Sequence, residues 1–327
     1  MRAAVIVPVA PYEPKEILIS SVRHLLALDY RNFEVKILYI VDKKHEHEHE
    51  HDEDGQVKIL RDLGVDVLER RDSRGRKAGA INDALEYLSG FKPEYIAIFD
   101  IDSQPGKKFL VESLVALESN KNAYIASSRR YIINPVNLVS ETIEAEYYLI
   151  NFLLRKSGFK LFNGPIGLLK SEFLYRYKLN EDAVAEDADF ATRMHAKGYT
   201  AILVLVDGTE LYEQSPVSWM DLLNQRKRWY YGGLQLWKYW KEVKNSGNRN
   251  FIVSWLMALT VTYAPILSAP VLIFAPFLLL YKFKKVNKIS LTAGFIIYLV
   301  LLQYAAVAAV WHLVREKHVE WKSIKRV

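Results

Sequence analysis

A mostly parallel α/β sheet covered by helices on both faces, followed by membrane helices, is the fold class this sequence predicts. Three observations predict it. Strand-like and helix-like runs alternate from residue 1 to about 205, the pattern of successive βα units. The apolar run Tyr95-Ile-Ala-Ile-Phe99 ends in two carboxylates one residue apart, Asp100 and Asp102, as a strand does when it delivers acids to the rim of a sheet. Two later stretches, 251–281 and 289–314, contain no Asp, Glu, Lys or Arg, and each exceeds the ~20 apolar residues that a helix needs to cross a bilayer.

The elements follow in order. Residues 3–7 are a buried-strand run, and 15–28 form a helix after Pro14 with Leu18, Val22, Leu25 and Leu26 on one face. Residues 35–41 make a second strand that ends at Asp42, 56–63 a short helix, and 65–68 a short strand. A helix over 77–88, the strand 95–99, a helix over 107–117 and a strand over 123–127 repeat the pattern. In such sheets ligands bind beyond the carboxyl ends of the strands, where both Asp42 and Asp100 fall. Residues 138–156 pattern as an amphipathic helix. Residues 216–245 pattern as another, with Trp219, Trp229, Trp237 and Trp240 among Lys and Arg. That mixture suits the headgroup layer of a membrane, and ordinary core packing explains it as well.

The chain thereby divides into an α/β domain (1–215), interfacial helices (216–250), a membrane region (251–314) and a basic tail (315–327). Pro265, Pro270 and Pro276 interrupt the first apolar stretch. It reads either as one kinked span with an interfacial lead-in or as a re-entrant hairpin, giving two spans or a hairpin plus one span. The connector 282–288 is basic and favours the cytoplasmic side. Residues 1–8 read as a first strand, not as a signal peptide, which keeps the α/β domain cytoplasmic on a multi-pass cell-membrane protein.

Composition narrows the function. There is no cysteine, so disulfides and thiolate metal sites are excluded. The net charge of +6 is modest and its basic residues gather near the apolar segments, which argues for a membrane surface and against nucleic acid. Residues 43–54 alternate His with acids and read as a solvated loop or as a metal-binding tract.

The Asp100–Asp102 pair offers hard oxygen donors suited to Mg²⁺ or Mn²⁺, which share their shell with phosphates; taken alone, such a pair is also a common solvated turn. Glu186-Asp187 opens an amphipathic run that closes at Gly198, which a helix N-terminus enriched in acids explains too. Gln225, Arg228 and Trp229 fall on one helical face by their spacing.

Together Asp42, Lys77-Ala-Gly-Ala-Ile-Asn82, Asp100-x-Asp102, Phe162-Asn-Gly-Pro165, Glu186-Asp187 and Gln225-x-x-Arg228-Trp229 resemble the family 2 glycosyltransferases. The likeness is to the membrane-attached branch with cellulose, chitin and hyaluronan synthases and ceramide glucosyltransferase. The resemblance implies a GT-A fold and an inverting transfer from a nucleotide sugar, a UDP-sugar by analogy, to a lipid or lipid-linked acceptor. A processive polysaccharide synthase and a non-catalytic nucleotide-sugar-binding scaffold are the alternatives. It implies Glu13 and Asp42 on the nucleoside, with Glu13 equally readable as a surface acid. It implies Lys77, Asp100, Gln225 and Arg228 on the donor, and Asp102 with Asp100 on the metal. Asp187 is implied as the base, and Glu186, Trp229 and Gly164 on the acceptor side. Lys43 stands where many relatives have a second acid, and Ala185 where many have Thr. A homo-oligomer is the arrangement through which so few helices could form a polymer channel.

Overall fold

The computed structural model describes residues 1–31, 33–42, 53–162, 164, 166–268, 270, 274, 277 and 290–315. The His/acid tract lies mostly outside the described residues, as do the basic connector and most of the basic tail. By its contacts the chain forms two compact units: Met1–Arg129 with Lys160–Tyr212, and Arg130–Phe159 with Glu213–Val327.

The first unit is built on a seven-stranded sheet of order β3-β2-β1-β4-β8-β6-β9. Its strands are β1 (Arg2–Val9), β2 (Glu34–Asp42), β3 (Asp66–Arg70), β4 (Tyr95–Ile98), β6 (Ala123–Ser128), β8 (Gly167–Lys170) and β9 (Thr200–Val204). β1 pairs in parallel with β2 and β4, placing Val5 beside Ile37 and Ala97. β8 alone runs antiparallel, pairing Ile98 with Gly167 on one side and Ala126 with Leu168 on the other. A short ladder adds β5 (Gln104–Pro105) antiparallel to β10 (Leu211–Glu213).

Both faces of this sheet are buried, so its strands read as continuous apolar runs instead of alternating ones. The two-residue side-chain period still sorts them. Val5, Val7 and Ala97 face a core shared with Leu18 and Val22 of α1 (Lys15–Leu26), Leu60 of α2 (Glu53–Asp62) and Leu114 of α4 (Phe109–Glu118). Ala4, Ile6, Ile96 and Ile98 face the opposite core with Ile81 and Leu85 of α3 (Arg76–Tyr87), Leu174 of α6 (Ser171–Tyr177) and Phe190 and Met194 of α7 (Glu186–Ala196).

The second unit holds β7 (Arg130–Ile132) and helices α5 (Leu138–Lys156), α8 (Trp219–Gln235), α9 (Trp240–Asn245), α10 (Arg249–Thr260) and α11 (Ser290–Val314). Asn137 caps α5 through a reciprocal bond with Ser140, and Ser218 caps α8 through the Asp221 N–H, each satisfying donors left open at a helix start. Val139, Ile143 and Tyr147 of α5, Leu222 of α8 and Leu291, Phe295 and Tyr298 of α11 form one core.

Among the described residues, α11 is the one helix long and apolar enough to cross a membrane, with 25 residues and a mean hydropathy of 2.1 over its most apolar 18. Its length, about 38 Å at 1.5 Å per residue, exceeds the ~30 Å hydrocarbon layer. Val300, Tyr304, Val307 and Val314 on its outer side are exposed. The first apolar stretch, expected as a kinked span or a re-entrant hairpin, is described through residue 268 and at 270, 274 and 277. α10 ends at Thr260, five residues before Pro265, and 3-10 turns follow at Val261–Tyr263 and Pro265–Ser268. Thr260-Val-Thr crowds β-branched side chains just ahead of a proline, whose ring disfavours helix in the residue before it. α10 by itself covers about 18 Å and does not cross a bilayer.

Candidate active site

The carboxyl edge of the first unit's sheet collects most of the expected residues. β4 ends and the chain turns through Asp100 and Asp102, with the Asp100 N–H bonded to Ser103 Oγ at 3.1 Å. Because β8 is antiparallel, its leading residue Gly167 lies opposite Ile98 at the last turn of β4. Gly164, which precedes β8, is thereby carried to the same rim as the two aspartates.

Gly164 links the halves of this cluster. Its carbonyl accepts from Lys77 Nζ at 2.9 Å, and its N–H donates to Asp187 Oδ2 at 2.5 Å. Lys77 also pairs with Asp100. One residue, through the two peptide groups on either side of its Cα, therefore spans the distance between the expected donor-side pair and the expected base. Its φ of +75° is in the left-handed region, and a Cβ here would lie 2.6 Å from Lys77 Nζ and 3.2 Å from Asp100 Oδ2. Only glycine meets both demands. Burial alone would push the Lys77 ammonium down; Asp100, Glu186 and Asp187 outweigh it and hold the group above its ordinary value.

Asp187 sits in the first turn of α7 with Glu186 and Asp189, where the helix dipole favours carboxylates. No side chain caps this helix from Ala185; instead Asp187 Oδ1 accepts from the Ala188 N–H at 2.7 Å. The helix is pinned by Asp189, whose side chain is wholly buried. It accepts from Arg193 Nε at 2.8 Å and Asn180 Nδ2 at 3.1 Å. Arg193 in turn donates to the carbonyls of Tyr177 and Lys178.

Asp42 lies on the same edge two strands away, roughly 10 Å to the side at ordinary strand spacing, and four residues further along the strand direction than Ile98, which stands in register with Leu38. Its carboxylate accepts from Arg70 Nη1 at 2.6 Å, and Arg70, nearly inaccessible, also bonds Asp83 Oδ2 at 2.7 Å. Burial raises the Asp42 carboxyl and Arg70 pulls it back. Glu13 is buried just beyond β1, its carbonyl accepting from Gln56 Nε2 at 2.8 Å, a placement unlike that of a solvated surface acid. Asn82 proves to be a brace. Its amide bonds Leu179 through both N–H and carbonyl at 3.0 Å and reaches Glu181 Oε1 at 3.0 Å.

The donor set at the rim fits a hard divalent cation. Asp100 and Asp102 supply carboxylate oxygens only, and no group of three or more metal-ligating side chains forms among the described residues. Mg²⁺ and Mn²⁺ commonly bind through one or two carboxylates and complete their shell from substrate phosphate.

Gln225, Arg228 and Trp229 lie on α8 of the second unit, at the spacing that shares a face. Sequence reasoning missed their neighbour Arg226. It is buried, bonds Glu146 Oε2 on α5 at 2.5 Å, and lies 4.2 Å from the centre of the Trp229 ring. The i, i+3 spacing of Arg226 and Trp229 was the available signal. Arg70 and Asp189 were also missed, since their partners sit far along the chain or within an ordinary helical turn.

This chain belongs to the family described as "Glycosyl transferase family group 2", which matches residues 95–311. It is similar to "Glucomannan 4-beta-mannosyltransferase 7" of Arabidopsis thaliana, 23% identical over 280 residues, which covers 83% of this chain and 50% of the relative. It is also similar to "Probable glucomannan 4-beta-mannosyltransferase 7" of Oryza sativa subsp. japonica, 25% identical over 183 residues, 54% of this chain and 31% of the relative. The chain thus spans half or less of the length of these curated relatives. Among solved structures it resembles "Mannosyltransferase PcManGT from Pyrobaculum calidifontis in complex with GDP-Man and Mn2+", with a TM-score of 0.64, 18% identity and coverage of 97% of this chain and 88% of that one. S. aureus TarS 1-349 in complex with UDP-GlcNAc gives a TM-score of 0.53 at 14% identity, covering 98% and 94%. At such identities the likeness shows the fold, a mixed α/β unit with a parallel-rich sheet of GT-A type.

Proposed function

We propose that this glycosyltransferase moves a mannosyl residue from GDP-mannose to a hydroxyl of a lipid-linked acceptor at the membrane surface, with inversion in a single displacement. The names of its relatives and of the GDP-Man complex support mannose and GDP over the UDP-sugar expected by analogy. The apolar helix α11 supports membrane attachment. The observation that carries the chemistry is the continuous chain Lys77–Gly164–Asp187 at the rim that also holds Asp100 and Asp102.

In this reading Asp42 and Glu13 hold the nucleoside, and the span from Asp42 to Asp100 suits a ribose and its phosphates. Lys77, Arg228 and Gln225 bind the diphosphate, and Trp229 carries the acceptor sugar, with Glu186 and Gly164 on the acceptor side. Asp187 takes the proton from the acceptor hydroxyl as that oxygen attacks the anomeric carbon opposite the leaving group. Asp102 and Asp100 would hold a divalent cation, which would supply Lewis-acid stabilisation of the departing nucleoside diphosphate.

Membranes carrying the protein, given Mn²⁺ and a panel of labelled GDP- and UDP-sugars, test this directly. The expected result is mannose label in the organic phase, falling by roughly 10²- to 10⁴-fold with Asp187→Asn. Full turnover by that variant overturns the assignment of the base. The glucomannan relatives favour a second reading, extension of a polysaccharide, and label in high-mass aqueous or insoluble product identifies it.

A further inference from the structure

Arg226 is not among the residues given a role above, yet it is one of the most committed side chains in the second unit. It is a buried cation, 6% exposed, paired with Glu146, which is 16% exposed. Its guanidinium lies 4.2 Å from the centre of the Trp229 ring and 5.7 Å from that of Tyr298 on α11. Its Nε has no hydrogen-bond partner among the described residues. A cation buried this deeply carries a desolvation penalty that its pairing with Glu146 and the flanking rings must offset. Here three helices meet on it: α5 supplies Glu146, α8 supplies Arg226 and Trp229, and α11 supplies Tyr298.

We infer that Arg226 is a positioning residue for the acceptor platform. It covers one face of the Trp229 indole and fixes the ring's rotamer, so that a pyranose rests on the opposite face only. Glu146 locks the guanidinium in place through a charge-assisted bond. Lysine cannot replace it, because a point ammonium neither lies flat on an indole nor keeps the fork that holds Glu146. Tyr298 ties the same group to the apolar helix, so the platform's orientation is set where that helix packs. This inference rests on the reading of Trp229 as the acceptor surface.

The test uses the full chain in detergent, labelled with fluorotryptophan, the Trp229 ¹⁹F resonance being assigned with Trp229→Phe. Octyl β-D-mannopyranoside is the probe. In the wild type the resonance moves as the mannoside is added. In Arg226→Lys it shifts and broadens before addition, and the midpoint rises roughly 5- to 30-fold, while GDP affinity by calorimetry stays at the wild-type value. Glu146→Leu/Arg226→Met replaces the pair with apolar groups of similar size, an exchange that buried pairs commonly tolerate. It keeps the fold and gives the same rise. Wild-type resonance and midpoint in both variants overturn the inference. A wild-type resonance indifferent to the mannoside, but moved by Arg226→Lys, overturns the acceptor reading and leaves Arg226 as the residue that sets the ring.

Discussion

Replacing Gly164 with alanine places a methyl group between the two halves of the rim cluster. The backbone there has φ +75°, a conformation that costs an L residue with a Cβ about 1–2 kcal/mol. The new Cβ would meet Lys77 Nζ at 2.6 Å and Asp100 Oδ2 at 3.2 Å. Lys77 is a flexible side chain and can retreat, but only by giving up its bond to the Gly164 carbonyl, 2.9 Å long in the native chain. A hydrogen bond to a charged group contributes about 1.5–3 kcal/mol, and partial exposure of Lys77 puts this one at the low end. The sum, about 2–4 kcal/mol, lowers the melting temperature of a unit this size by roughly 5–15 °C. The larger effect is on rate. The Gly164 N–H aims the Asp187 carboxylate, and a misplacement near 1 Å in a reacting group costs on the order of 10²-fold. Single-turnover transfer from GDP-mannose and differential scanning fluorimetry measure the two effects. A Gly164→Ala protein that melts and turns over as the wild type does would refute the idea that this residue couples donor pair and base.

Other perturbations separate chemistry from scaffold. Asp102→Asn lowers kcat/KM on the order of 10²- to 10³-fold by weakening the cation's hold on the leaving diphosphate, read in a Mn²⁺ titration. His195, buried against the Tyr124 ring at 5.9 Å, has its pKa pushed down to about 4 by burial. The unfolded chain binds this proton below about pH 6.5 and the folded chain does not, so stability falls as pH drops from 6.5 towards 4. The loss is about 2 kcal/mol at pH 5, and His195→Gln flattens the dependence of the melting temperature over that range. Gly294→Val forces α11 away from Thr142 and from Leu138, whose Cδ1 is 3.0 Å from the added Cβ, and costs about 1–3 kcal/mol in detergent melts. Gly90→Ala meets nothing within 4 Å and leaves melting unchanged.

Much of this molecule could be read from its sequence because its central strands are buried on both faces and its helices are amphipathic. Residues 3–7, 37–41 and 95–99 stand out as unbroken apolar runs, the last two ending in aspartate. α5 runs from Leu138 to Lys156 as the sequence pattern predicts, and Asn137 and Ser140 cap its start locally. β8 did not stand out: Gly167-Leu-Leu-Lys170 is four residues long, and its reversed direction is fixed by neighbours on both sides, not by its own composition. β5, with two residues, carries no period at all. The rim acids were legible as motifs, since they must follow strands and open helices. Their supports were not. Arg70 braces Asp42 across 28 positions and Asn82 braces Leu179 across 97, and pairings that distant leave no local trace. Arg226 was hidden differently, inside a helix whose mixed aromatic and basic residues fit the surface of a membrane as well as a core.

The interleaving of the two units has a consequence for how the chain is made. α5 is synthesised in the middle of the first unit's sequence, yet the surfaces it packs on, α8 and α11, come later, and α11 ends at Val314. At ordinary rates of about 5–20 residues per second, α5 waits roughly 8–30 s for α11 to emerge. Throughout that interval Val139, Ile143 and Tyr147, which end up buried with Phe295 and Tyr298, have no native partner from α11. A nascent chain stalled before residue 290 therefore exposes α5 to protease, and one released after Val314 does not.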